Sequence, residues 1–94
     1  MTEYPYSYTV AMSVDDAVFA EYCSMLELNI NNIKKDSLLI DVDGSETQVY
    51  HYNGKKIIVH NSCDVDAVFI DSQFDLLPFF DRPPIINTSK NKRI

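Results

Sequence analysis

Two histidines and two cysteines are the residues whose types could do chemistry, and their spacing argues against it. His60 and Cys63 stand three apart, with His51 in the preceding β-prone run and Cys23 far upstream. A zinc site built from such residues needs paired ligands of the C-x-x-C kind, and no such pair exists. A Cys–His nucleophile needs an oxyanion hole and a residue that orients the base. The only glycines, Gly44 and Gly54, both sit in turn sequences, which leaves no glycine-rich phosphate loop. Asp41, Asp43, Gly44 and Glu46 evoke a calcium loop. Counted from Asp41, however, Glu46 and Tyr52 occupy the places where an EF-hand needs Gly and Glu. The expectation is a protein that is not an enzyme and holds neither metal nor cofactor.

What remains are carboxylates. The chain has 94 residues, 14 of them acidic and 8 basic, for a net charge of −6. Every acidic residue lies at or before Asp81, while Arg82, Lys90, Lys92 and Arg93 come after it. Residues 1 to 81 set the 14 acids against Lys34, Lys35, Lys55 and Lys56 alone, a net of −10. Such a body repels nucleic acid and anionic membrane and attracts basic partners. The candidate partner-binding carboxylates are Asp15, Asp16, Glu21 and Glu27 on the predicted main helix. Asp36, Asp41, Asp43 and Glu46 form a second group, and Asp64, Asp66, Asp71 and Asp75 a third. Held on a rigid scaffold, they imitate phosphates, which duplex DNA presents at about one per 1.7 Å of axis.

The elements that position them can be read from periodicity. Gln48 to His60 holds two β-prone runs joined by Asn53-Gly54, the strongest short-range hairpin signal. With those two as the loop, Tyr50 faces Ile57, Val49 faces Ile58 and Gln48 faces Val59. Tyr50, Tyr52, Ile57 and Val59 then share the core face. Tyr6 to Met12 alternates as a first strand. Ser13 is a candidate N-cap, with Asp16 three residues on. The helix is predicted over about 14–27, with Val14, Ala17, Val18, Tyr22, Met25 and Leu26 as its buried stripe.

Residues 28 to 36 read as a loop anchored by Leu28, Ile30 and Ile33. Ser37 to Val42 reads as a strand entering a turn centred on Gly44-Ser45, which would set Ile40 opposite Val49. Val65 to Asp71 reads as a further strand, and Ser72 to Leu77 as a short second helix. The sum is one α+β domain over 1–86, a mostly antiparallel sheet of four to five strands with one main helix packed on it. A basic, flexible tail is expected over 87–94. No stretch is apolar enough to span a membrane and no signal peptide is evident. With two unpaired thiols, the chain reads as cytoplasmic.

The acidic helix SVDDAVFAEYCSMLE and the segments DVDGSE and DVDAVFID give most of residues 1 to 81 a compositional character. In it the chain resembles the small acidic DNA mimics of the anti-restriction nuclease (Arn) type from T-even phages. The resemblance implies a homodimer whose surface mimics duplex DNA. It would block a restriction nuclease or a histone-like DNA-binding protein in the cytoplasm of a phage host. The basic tail departs from a uniformly acidic mimic. A different class of function stands beside it: an immunity- or adaptor-type protein that binds one partner through Phe79, Phe80 and exposed tyrosines.

Overall fold

The computed structural model describes residues 3–89. Its elements run β1 (Tyr6–Ala11), α1 (Asp16–Asn29), β2 (Lys34–Lys35), β3 (Leu39–Ile40), β4 (Glu46–Tyr52), β5 (Lys55–Ser62) and β6 (Ala67–Ser72). A 3-10 turn (Leu77–Phe79) and β7 (Ile86–Ser89) complete the order. The fold is α+β with seven strands in one sheet, ordered β2-β4-β5-β6-β1-β7, with β3 also on β4. Every described pairing is antiparallel. No described helix is long and apolar enough to cross a membrane.

The β4–β5 hairpin has the register its sequence dictates. Tyr50 faces Ile57, Val49 faces Ile58, and Tyr52 faces Lys55 across Asn53-Gly54. Both turn residues take positive φ, 51° and 76°, as a type I′ turn requires. Tyr50, Ile57 and Val59 are fully buried beneath α1, and Tyr52 is half-buried against Phe74.

Other elements depart from expectation for local reasons. The helix starts two residues later than predicted. Asp15, not Ser13, caps it, accepting from the Val18 N–H at 3.0 Å. The Val14 and Asp15 N–H groups are already bonded to Asp66 and Asn61, so the chain enters the helix from the sheet side. The buried stripe turns accordingly: Phe19 and Cys23 join Tyr22, Met25 and Leu26, while Val14 and Ala17 are exposed. The helix also runs on to Asn29, so Leu28 points to solvent and only Ile30 and Ile33 anchor the segment leading into β2.

The β3–β4 turn is centred earlier in the chain than expected. Ile40 pairs with Glu46 and Leu39 with Thr47. Asp41 N–H bonds Ser45 O at 2.8 Å, and Gly44 takes φ 90°. A loop of Val42, Asp43 and Gly44 with glycine in the left-handed position satisfies its own backbone, which outweighs the cross-strand pairing used to predict the register. The stretch from Ser37 to Val42 shrinks to a two-residue strand, preceded on the same edge by β2.

The connection before β6 is longer than expected. Residues 63–66 form the turn, with Asp66 at φ 59°, and Val65 is exposed outside the strand. The second helix is replaced. Ser72 ends β6, and its Oγ bonds both the N–H and the carbonyl of Phe74, so a side-chain turn leads into the 3-10 segment. The tail expected from Asn87 instead contributes Asn87 to Ser89 to β7, paired with β1; residues 90–94 lie outside the described residues.

Three tyrosines with no exposed surface, Tyr8, Tyr22 and Tyr50, span the layer between sheet and helix. Each hydroxyl finds a partner. Tyr8 donates to Asp75 at 2.9 Å and accepts from Leu76 N–H at 2.9 Å. Tyr22 donates to the Arg82 carbonyl at 2.8 Å, and Tyr50 to Glu27 at 2.5 Å. Phe80 closes the layer edge-on to both Tyr8 and Tyr22. Tyr8→Phe is expected to cost about 2 kcal/mol, because the buried Leu76 N–H loses its acceptor. Tyr52→Phe, whose ring is half-buried, should stay within about 0.5 kcal/mol in the same urea titration.

Candidate acidic interaction surface

The strand directions bring three loops to one end of the sheet. β4 leaves that end at Glu46 and β5 returns to it at Asn61, its cross-strand partner. The β3–β4 turn, the β5–β6 turn and the N-terminus of α1 therefore meet there. Hydrogen bonds tie them together. Asp66 Oδ1 accepts from Val14 N–H at 3.2 Å, and Ser45 Oγ accepts from Cys63 N–H at 2.8 Å. The Asn61 side chain is the common knot. Its Oδ1 accepts from Asp15 N–H at 3.1 Å, and its Nδ2 donates to Asp16 at 2.9 Å and to Glu46 at 3.3 Å.

Seven of the twelve candidate carboxylates stand at this end: Asp15, Asp16, Asp41, Asp43, Glu46, Asp64 and Asp66. No described Lys or Arg pairs with any of them. Their partners are neutral: Asp15 holds the Val18 N–H, Asp41 the Val42 N–H and Asp43 the Ser45 N–H. The charge of the group is thus held in place without being cancelled. Met12, Val14, Val42 and Val65 are exposed among them.

The other five candidates are used within the chain and do not join this surface. Glu21 pairs with Arg82 at 3.0 Å, and Glu27 with Lys35 at 3.0 Å and with Tyr50. Asp36 pairs with His51 at 2.8 Å. Asp71 lies 3.4 Å from His60 Nε2 on the opposite face of the sheet, close but not aligned for a hydrogen bond. Asp75 serves the Tyr8 hydroxyl and the Leu77 N–H. Lys34, Lys55 and Lys56 gather at the far end, around the Asn53-Gly54 tip.

A groove of about 480 Å³ runs from the acidic end along α1 and the β2–β3 edge. Asp16, Glu27, Asp36 and Glu46 line it, with Phe19, Cys23 and Leu38 as its floor and wall. Burial pushes the Cys23 thiol above its usual range, which keeps it protonated and unreactive. Among the described residues, no group of three or more His, Cys, Asp and Glu is placed to hold a metal ion. His60 stacks on Phe69 with ring centroids 4.3 Å apart, and Cys63 is exposed in its turn.

Asn61, which organises the acidic end, was not singled out in sequence. A signal existed. Asn61 shares the core-facing parity of Ile57 and Val59 in a strand, a position where asparagine is disfavoured unless its amide is satisfied. Comparison of the chain with protein-family models, with curated proteins and with solved structures found no match.

Asn61→Asp is expected to destabilise the fold by about 3 kcal/mol at neutral pH. It removes a buried donor and sets a third carboxylate against Asp16 and Glu46. Mild acidification should recover part of that loss in thermal melts, because protonation restores the donor.

The unaltered protein should behave in the opposite sense. Partial burial raises the Glu27 pKa, but the Tyr50 hydroxyl and Lys35 outweigh it and hold the group below its usual 4.5. Hydrogen bonds from the Ser45 N–H and hydroxyl hold Asp43 below its usual 3.8. A depressed carboxylate contributes stability that is complete above its unfolded pKa and is lost as pH falls through the folded one. The melting temperature should therefore decline as pH drops below Glu27's usual 4.5, and Glu27→Gln should make that decline shallower.

Proposed function

We propose that this chain is a non-enzymatic inhibitor whose acidic end stands in for DNA phosphates at the binding site of a basic DNA-binding protein. The partner class is a defence nuclease or a histone-like protein, and the setting is phage counter-defence in the host cytoplasm. The observation that carries this reading is the division of the carboxylates. Seven gather at one end with no described Lys or Arg against them, whereas Arg82 and Lys35 cancel Glu21 and Glu27, and Asp36, Asp71 and Asp75 stand apart from that end beside His51, His60 and Tyr8. A surface meant to engage Lys and Arg of a partner has to leave its charges uncancelled and oriented, and backbone N–H groups and an amide do that. The far placement of the lysines at the hairpin tip supports the same reading.

The adaptor reading keeps one observation in its favour, but not the one it began with. Phe79 and Phe80 are half-buried against the core and are poor candidates for partner contact. Met12, Val14, Val42 and Val65, exposed among the carboxylates, would supply an ordinary apolar interface instead.

The two separate in one binding experiment. The immobilised chain is offered a histone-like protein or a nuclease that cuts modified DNA, across a salt series and with excess duplex DNA. Mimicry predicts capture that weakens with salt and is competed by duplex. Asp64→Asn and Asp66→Asn together keep the hydrogen-bond acceptors and remove two charges. They should weaken capture at least about tenfold with unchanged melting temperature. Capture that ignores salt, DNA and these substitutions would overturn the mimic and leave the apolar interface.

A further inference from the structure

The outer edge of the sheet beside β4 is open. Every residue from Lys34 to Gly44 is exposed. The Asp41 N–H points inward to Ser45. Peptide groups alternate direction along an antiparallel strand, so those of Ile40 point outward, where no further described strand lies. Leu38, Leu39, Ile40 and Val42 are 42%, 59%, 67% and 103% exposed. An uncovered edge carrying a Leu-Leu-Ile run is a template for another strand.

Charge selects the partner. The edge is basic at one end, at Lys34 and Lys35, and apolar in the middle at Leu38, Leu39 and Ile40; Asp36, between them, is held by His51 at 2.8 Å. At the other end, Asp41 and Asp43 make it acidic. That order is complementary to itself when two copies run antiparallel. The apolar middles meet, and Lys34 and Lys35 of each copy lie along Asp41 and Asp43 of the other. A parallel arrangement would set lysine on lysine and aspartate on aspartate. Lys34 makes no ion pair among the described residues, whereas Lys35 already holds Glu27. The opposite edge offers no such code, because residues 85–89 are uncharged.

We propose that the β2–β3 edge is the interface for a second copy of this chain. The second copy adds its own β2–β3 edge antiparallel across a two-fold axis and continues the sheet. Isologous pairing of this kind closes as a dimer. It occupies the open edge, neutralises Lys34, takes Asp41 and Asp43 of the seven end carboxylates into the contact, and leaves Asp15, Asp16, Asp64 and Asp66 outside it. Pairing at this edge does not depend on the inhibitory role.

Sedimentation equilibrium across the micromolar range tests it. The expected result is a reversible monomer–dimer equilibrium. Ile40→Lys should weaken it about tenfold or more while leaving the melt of the monomer unchanged, since Ile40 is exposed there. A charge exchange distinguishes pairing from damage. Lys34→Glu alone and Asp41→Lys alone should each weaken self-association, and an equimolar mixture of the two should pair again. A monomer at every concentration, open-ended growth, or a mixture that fails to recover would overturn the proposal.

Discussion

Three buried phenol hydroxyls constrain this fold more than any other group. A tyrosine under a helix contributes a large apolar ring only if its hydroxyl is not stranded without a partner. Here two of the three take their partners from segments with little regular structure, and the third from α1. Tyr8 fixes Asp75 and Leu76, Tyr22 holds the carbonyl of Arg82, and Tyr50 reaches Glu27. Burial pushes the Tyr8 and Tyr50 phenols far above their usual range, so they act as hydrogen-bonding groups and not as ionisable ones. The irregular stretch between β6 and β7 therefore has a defined path with only one 3-10 turn in it.

The acidic end obeys a different rule. Its carboxylates sit on turns and a helix start, where backbone N–H groups are free to be accepted and water is close. Only Asp16 and Glu46 converge on a buried group, and that group is an amide. The like charges are tolerated because none is taken far from solvent, and the N-terminus of α1 adds its positive dipole end among them. Scaffold and display are thus separated. The apolar layer under α1 carries the stability, and the loops at one end carry the charge.

The β4–β5 hairpin was legible to the residue, because Asn53-Gly54 admits one loop and the alternation on either side admits one face. The helix was legible as a helix, but its cap was not. Ser13 and Asp15 both suit an N-cap, and the choice is made by Asn61 on β5 and Asp66 in the β5–β6 turn. The β3–β4 register failed for a related reason, since satisfying the backbone around Gly44 took precedence over side-chain pairing. β2 and β7 escaped notice because two lysines, or one isoleucine followed by three polar residues, are too short a run to show periodicity. At the candidate site, composition revealed which carboxylates exist. It could not reveal which are cancelled, because Arg82 meets Glu21 and Lys35 meets Glu27 only through the fold.

Lys34, Lys55 and Lys56 lie at one end of a molecule with a longest extent of 37 Å, and seven carboxylates lie at the other. Such a body has a permanent dipole as well as a net charge. In the field of a basic surface it experiences a torque before it experiences contact. Its tumbling is biased at distances of about a Debye length, roughly 8 Å at physiological salt, so that encounters begin acid end first. The polarity of the sheet thereby becomes a kinetic property: with a basic partner of the proposed kind, it would raise the fraction of productive collisions without adding a single contact to the bound state.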